Sequence, residues 1–490
     1  MQKTMNEDLV RSIVQDVLAK IQSTGSVAGG SAGPSTGGSC GCSRKASGNL
    51  GVFQDAASAA AAARQAFEEL RLKGMAGRRQ VVDIVKRNCS ARDEEWGKLE
   101  FAETKIGRLE HKIAKLQGIQ GIPGVEWLQP LGMSGDHGIA MEEHTPFGVV
   151  GAITPVTHSI PTLACNVINI VSAGNTVVFN AHPGGAKCAV EAVRTFNREI
   201  EREVGIPNIV TIIETPTIES FNELCASPDV AILVITGGPG VVKAAMASGK
   251  RAICAGPGNP PVVVDETARL DKAAANIIFG AAFDNNLLCI GEKQIFVVDK
   301  VYREFMEAFK RAGAVQLNER ELAAVTAEAF STAKGAGGCS HPVLNRDLVG
   351  ADASVLARIA GRSVPNGTEL LFAETDADHL FVIEEQMMPL VPVVRVGDFA
   401  EAVRLAKISE HGYKHSSMIH TLNVEHMTHM AKALDSTLFV KNGSCLAGLG
   451  NGGEGYGSFS IATTTGEGIT TPMTFTRKRR CVMVDNLNQF

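Results

Sequence analysis

Between Gly148 and Ala247 the chain repeats one unit: a short apolar run, a turn built from Thr, Asn, Gly and Pro, then a helical stretch. Gly148–Ile153 is followed by Thr154-Pro155-Val156-Thr157-His158-Ser159-Ile160-Pro161-Thr162 and a helix expected from about Leu163. Thr176–Phe179 leads through Asn180-Ala181-His182-Pro183 into a helix over 184–203. Val210–Ile213 is a third strand, and Val230–Ile235 a fourth, ending in Thr236-Gly237-Gly238-Pro239-Gly240 and another helix. Strand–loop–helix units of this length imply a parallel sheet covered by helices, an α/β fold. Ligands of such sheets bind at the carboxyl ends of the strands. The Thr236–Gly240 turn suits a phosphate, because glycines admit close backbone approach and a helix start offers free amides. The same turn also reads as a plain strand-to-helix connection. No Gly-x-Gly-x-x-Gly fingerprint follows any of these strands, which argues against an ordinary dinucleotide-binding dehydrogenase.

A chain of 490 residues exceeds a single hydrophobic core, so two or three domains are expected. Hydrophobic residues make up 44% and charged residues 20%, the balance of a soluble globular enzyme. The net charge of −5 disfavours nucleic acid as a partner. Eleven cysteines, an odd number without paired spacing, argue for a reducing compartment. No apolar run reaches the roughly 18 residues of a membrane helix, and no secretory signal opens the chain.

Asn6 to Gln22 reads as an amphipathic helix, with Leu9, Val10, Ile13, Val14, Val17, Leu18 and Ile21 on one stripe. Ser23 to Gly48 is rich in Gly, Ser, Ala and Thr, the composition of a flexible tether. A helix of that length is marginal alone in water, so a tethered one implies a partner for its apolar face. Packing back on its own domain is the alternative. Cys40 and Cys42 lie in the tether without nearby His or a second Cys pair, which gives weak support for a metal.

Cys289 stands in Phe283-Asp284-Asn285-Asn286-Leu287-Leu288-Cys289-Ile290-Gly291-Glu292-Lys293. Amides on one side, Asn286 among them, suit an oxyanion, and Lys293 on the other favours the reactive thiolate. A buried structural cysteine is the competing reading. His411 and His415 are separated by Gly412, and His426 and His429 share a helix face with no third ligand in view, so no metal is expected at either place.

The Cys289 run resembles the nucleophile segment of the CoA-acylating branch of the aldehyde dehydrogenase superfamily. The resemblance spans roughly residues 50–485 in several motifs and is closest to the enzymes of bacterial microcompartments. It implies two Rossmann-like parallel-sheet domains plus a small β oligomerisation element, preceded by the tethered helix. The expected domains are a dinucleotide- and CoA-binding domain at 51–130 and 146–258, and a catalytic domain at 259–448. An oligomerisation element at 131–145 and 470–490 completes them, after a 1–22 helix and a 23–50 linker.

By the same resemblance, Cys289 is the nucleophile, and the catalytic set includes His158, Thr157 and Asn286. His158 stands where relatives often carry Asn. The cofactor-binding set is Thr154, Pro155, Asn180, His182, Thr236, Gly237, Gly238, Gly256, Pro257, Gly258 and Glu385. Glu385, in Glu384-Glu385-Gln386-Met387-Met388-Pro389, matches a residue that bonds the nicotinamide ribose. Many relatives have Lys where Asn180 stands, and NAD is favoured over NADP. Hydrolytic relatives carry a water-activating Glu in the segment matching Ala252–Pro260, which holds no carboxylate here. The resemblance therefore implies that a short aliphatic aldehyde, propionaldehyde before acetaldehyde, is converted with NAD⁺ and coenzyme A to acyl-CoA and NADH. It also implies a homo-oligomer (dimer or tetramer), a lumenal place in a microcompartment, and a shell or cargo partner for residues 1–22. The basic run Arg477–Arg480 suits CoA phosphates or a solvated edge, and Leu449–Phe459 resembles a loop closing over substrate and cofactor. A hydrolytic dehydrogenase and a non-catalytic shell adaptor are the alternatives.

Overall fold

The computed structural model describes residues 49–334 and 340–485. The expected 6–22 helix, the tether up to residue 48 and the Cys40/Cys42 pair lie outside them.

Six parallel strands form the first sheet, in the order Val52–Phe53, Val210–Ile213, Thr176–Ala181, Val149–Thr154, Val230–Thr236 and Arg251–Ala255. The central strands are buried along their length, as parallel strands covered on both faces must be. One face packs on helices Ser159–Ser172 and Ala186–Val204. The other packs on Ile218–Ala226, Pro239–Ala247 and the alanine stripe Ala56, Ala59, Ala60 and Ala63.

The sequence reads as helix over Ala56–Arg71, Gly77–Trp96 and Glu94–Leu116, and the structure divides this stretch differently. One helix runs Ala56–Ala91 with a kink at Gly74, whose φ of 59° suits glycine. A helix from Gly77 to Trp96 was the expectation, but the chain breaks at Arg92, and Trp96 belongs to the next helix, Asp93–Thr104. The stretch expected as one helix to Leu116 breaks again, because Lys105 closes Asp93–Thr104 in the left-handed region before Leu109–Gln117 begins. The helix expected from Leu163 starts at Ser159, since Pro161 falls in its first turn, where no backbone donor is lost.

Seven parallel strands make the second sheet: Val315–Leu317, Leu371–Thr375, Leu390–Val396, Gln294–Val298, Pro261–Val264, Ser416–His420 and Leu438–Lys441. Leu131–Gly135, Gly138–Pro146 and Thr476–Val484 form a separate antiparallel sheet. The basic run lies on the last of these strands, where Arg479 pairs with Glu143 at 3.0 Å and Arg480 with Glu142.

The connection 256–260 positions the site. It leaves the first sheet at the carboxyl end of Arg251–Ala255 and enters the second at the amino end of Pro261–Val264. The ligand-binding edge of one sheet therefore meets the amino edge of the other. Cys289 lies on that amino edge, just before Gln294–Val298.

Candidate active site

Asp284, Asn285 and Asn286 take φ of 51°, 56° and 63° in succession. Such a run is costly for non-glycine residues, although Asp and Asn tolerate it best. Each is held by its side chain. Asp284 Oδ1 accepts from the Arg108 amide at 2.9 Å, and Oδ2 lies 2.5 Å from Lys115 Nζ. Asn285 accepts from Arg108 Nε at 3.0 Å and donates to the Gly350 carbonyl at 2.9 Å. Asn286 Nδ2 donates to the Glu292 carbonyl at 2.9 Å, and its Oδ1 accepts from Lys293 Nζ. Asn286 thus braces the turn across Cys289. The backbone amides of Cys289 and Ile290 favour the thiolate form of Cys289.

Burial, and then the neighbouring Glu385 carboxylate, push the Cys289 thiol up to about 12, against the pull of Lys293 and the two amides. Lys293 thus favours the thiolate in the direction expected, but burial and Glu385 outweigh it. Its ammonium is fully buried and also donates to the Asn286 carbonyl at 2.7 Å, so its charge is outweighed by desolvation. Burial likewise pushes Glu385 up to about 7, with Lys293 and the Gly258 amide opposing the rise. Gly258 passes the nucleophile as bare backbone. A Cβ there would lie 2.6 Å from the Cys289 carbonyl and 3.0 Å from the ring of His415.

Behind the nucleophile, Glu292 is buried and pushed up to about 7 by burial. Its Oε1 accepts from the Cys445 amide at 2.8 Å, and its Oε2 has no partner.

A second buried group adjoins the turn. Lys112 Nζ is 3.2 Å from Glu100 Oε1 and donates to the Thr157 carbonyl at 2.7 Å. Lys115 reaches the same carbonyl at 3.2 Å as well as Asp284. Glu100 Oε2 accepts from the Ile160 amide at 3.0 Å, at the start of helix Ser159–Ser172. Glu100, Lys112, Lys115 and Asp284 are all at most 3% exposed. They tie the Thr157-His158 loop to the nucleophile turn. His158 Nε2 lies 3.1 Å from Thr157 Oγ1, and Nδ1 has no partner. Burial and the two lysines hold its ring neutral. Nothing in the sequence marked Lys112, Lys115 or Glu100, because such residues in an amphipathic helix ordinarily face water.

The strand order of the first sheet reverses between Val149–Thr154 and Val230–Thr236, so Thr154 and Thr236 flank its switch point. Thr154 Oγ1 is buried without a partner, and Pro155 opens the turn beyond it. Thr236 Oγ1 is 2.7 Å from Ser460 Oγ. Gly238 caps the helix Pro239–Ala247 with no side-chain hydrogen bond, and a Cβ at Gly238 or Gly240 would meet no atom within 4 Å. Gly237 donates to the Ala255 carbonyl at 3.2 Å, next to the Gly256-Pro257 turn. This open, glycine-lined helix start beside an unpaired hydroxyl fits a dinucleotide phosphate. Asn180 and His182 are committed locally: Asn180 Oδ1 accepts from Ser220 at 2.7 Å, and His182 Nδ1 accepts from the Gly184 amide at 3.1 Å.

His426 has more company than the sequence suggested. Asp265, Glu266 and His426 bring one ligand atom each within 4.8 Å of one another. Asp265 already accepts from Thr267 at 2.7 Å and from Thr421, and lies 2.6 Å from His426 Nδ1, whereas Glu266 is exposed and makes no hydrogen bond among the described residues.

Residues 47–457 match the model of the aldehyde dehydrogenase family. The chain is 40% identical over 483 residues to the acetaldehyde dehydrogenase (acetylating) EutE of Escherichia coli, covering 98% of this chain and 99% of that one. It superposes with a TM-score of 0.86 and 39% identity on Rhodopseudomonas palustris propionaldehyde dehydrogenase holding CoA and an acylated cysteine, over 90% of this chain and 100% of that one. A propionaldehyde dehydrogenase from the fucose utilisation microcompartment of Clostridium phytofermentans gives a TM-score of 0.85 and 40% identity over the same shares. Family model, relatives and fold agree across nearly the whole described chain, and the protein belongs to the aldehyde dehydrogenase family.

Proposed function

We propose that the protein is a CoA-acylating aldehyde dehydrogenase that converts a short aliphatic aldehyde, propionaldehyde before acetaldehyde, to its CoA thioester. Cys289 is the nucleophile in this reading. The thiol must lose its proton before attack, which Lys293 and two backbone amides favour and burial and Glu385 oppose, and Glu385 itself is assigned to the nicotinamide ribose. The thiolate adds to the aldehyde carbonyl, and the Cys289 and Ile290 amides face the developing oxyanion. Thr154 and the Thr236–Gly240 turn at the switch-point edge of the first sheet would hold NAD⁺, which would accept the hydride lost from the former carbonyl carbon. The acyl group then remains on Cys289 as a thioester until the CoA thiol attacks it and the Cys289 thiolate leaves.

The observation that carries this reading is Gly258. The segment that holds a water-activating Glu in hydrolytic relatives runs past Cys289 as backbone, with no space for a side chain at that position. Water without a positioned base is a poor nucleophile, so a thiol completes turnover. The likeness to a relative with bound CoA and an acylated cysteine supports the same order of events.

Purified protein given propionaldehyde and NAD⁺ is expected to form NADH at 340 nm in sustained turnover only when CoA is present. Cys289→Ala is expected to lose turnover by roughly three orders of magnitude or more. Sustained turnover without CoA would sink the reading.

The tethered segment 1–22 belongs to the same proposal as a docking helix for a shell protein or another cargo protein in a microcompartment lumen. Deleting it should leave turnover in solution unchanged and abolish co-sedimentation with shells. An oligomer is expected through the sheet ending in Thr476–Val484, whose Val482, Met483 and Val484 are exposed.

A further inference from the structure

The second sheet has a switch point of its own. Pro261–Val264 has Gln294–Val298 on one side and Ser416–His420 on the other, so the chain reverses direction across the sheet between the first and last of these. The crevice at the carboxyl ends of such a pair is the place where open parallel sheets bind ligands. It lies at the edge of this sheet opposite Cys289, which enters at the amino ends.

A cavity of about 170 Å³ occupies this position, lined by Arg269, Lys272, Ala273, His420, Leu422 and Asn442. Three features define its chemistry. Helix Leu270–Ala282 begins there, and its first turn has no side-chain cap, which leaves backbone amides for an acceptor. Arg269 and Lys272 are exposed and make no ion pair among the described residues. His420 is 2% exposed, yet its Nε2 has no hydrogen-bond partner. A buried imidazole nitrogen without a partner costs free energy unless a ligand completes it. The ring is neutral, because burial and Lys272 push it down to about 4, and a phosphate at Nε2 would select the tautomer that carries its proton there.

Of the nearby carboxylates, Asp271 and Asp265 are occupied, and Glu266 is exposed and outside the cavity lining. Asp271 pairs with Arg311 at 2.6 Å, and Asp265 is bonded to Thr267, Thr421 and His426. Asn442 is spent on the Thr421 backbone, accepting from its amide at 2.9 Å and donating to its carbonyl at 2.8 Å. What remains is two cations, an open helix start and one buried donor around a space below the roughly 300 Å³ of a site for a whole drug-sized molecule.

We infer that the crevice at the switch point of the second sheet is an anion site for a phosphate group, held by Arg269, Lys272, the start of helix Leu270–Ala282 and His420 Nε2. The site is separate from the cleft at Cys289 and does not depend on the function proposed above. The phosphate is either free in solution or the terminal group of a small phosphomonoester.

Calorimetric titration of the full-length protein with inorganic phosphate tests this, with CoA and NAD⁺ at saturation so that the catalytic cleft contributes nothing. One phosphate per chain is expected. Affinity should fall by at least about tenfold in Lys272→Glu, an exposed position where folding is not at risk. A parallel titration with glycerol 3-phosphate separates the sources: tighter binding than inorganic phosphate points to a phosphomonoester, and weaker binding to the free ion. Crystals soaked in tungstate should show the anion beside Lys272 and His420. Absence of saturable binding, or binding that Lys272→Glu leaves unchanged, would overturn the inference.

Discussion

Lys115 Nζ lies 2.5 Å from Asp284 Oδ2, and neither side chain is more than 2% exposed. The pair joins the helix Leu109–Gln117 to the turn that presents Cys289. Burial lowers the Lys115 pKa to about 8, with Asp284 opposing the fall, so the ammonium depends on its partner. Removing one member of such a pair leaves the other as an uncompensated buried charge, at a cost of about 3–5 kcal/mol. Lys115→Met should therefore destabilise the protein by an amount of that order in urea unfolding. Lys115→Met combined with Asp284→Asn should recover part of the loss. If the single variant unfolds at the wild-type midpoint, the pair is not holding the turn.

Glu292 links stability to pH. Its folded pKa, about 7, stands above the ordinary glutamate value of 4.5. A carboxyl with a raised folded pKa contributes stability that is complete below its unfolded pKa and is lost as pH rises through the folded one. The loss should run from about pH 4.5 to just above pH 7, and be on the order of 3 kcal/mol. Glu292→Gln should remove this dependence. The variant is expected to be more stable than wild type at pH 8 relative to its standing at pH 5. Thermal unfolding at the two pH values reads the difference, and parallel curves for the two proteins would contradict it.

Cys289 reactivity reports on two neighbours of opposite sign. Glu385 raises the thiol pKa and Lys293 lowers it. Alkylation by iodoacetamide at pH 8 should speed up in Glu385→Gln and slow down in Lys293→Met. A shift of one pKa unit changes the thiolate fraction about tenfold, which bounds the expected effect to roughly three- to tenfold in each direction. Equal rates in all three proteins would mean that neither charge reaches the sulfur.

Gly258 is required for its lack of a side chain, since a Cβ there would lie 2.6 Å from the Cys289 carbonyl oxygen. Gly258→Ala should displace the nucleophile segment and lower kcat by roughly a hundredfold while the fold survives, because misplacing reacting atoms by about 1 Å carries that cost. Circular dichroism confirms the fold and single-turnover kinetics give the rate. Wild-type kcat in this variant would show that the approach is not limiting.

Much of the architecture was legible in the chain itself. The apolar runs at Val149, Thr176, Val210 and Val230 recur with helices between them, and only a parallel sheet buries such strands on both faces. The Cys289 segment and the carboxylate-free stretch before Pro260 are local features, readable as order and spacing. Helix boundaries near Arg92 and Lys105 were misplaced, because a break there depends on one backbone angle that many residues adopt when packing requires it.

The electrostatics of the site were not legible, since they belong to burial. Lys112 and Lys115 in sequence are two cations on a short helix. Only the packing of that helix against Thr157 and Asp284 removes them from water and makes each depend on a carboxylate. Lys293 reads in the sequence simply as a cation near Cys289, yet its fully buried ammonium bonds Asn286, and burial outweighs its pull on the thiol. Residue order by itself determined which elements form and which groups are available for chemistry. Tertiary structure decided which charges survive, because the cost of desolvation is set by the surroundings that distant parts of the chain provide.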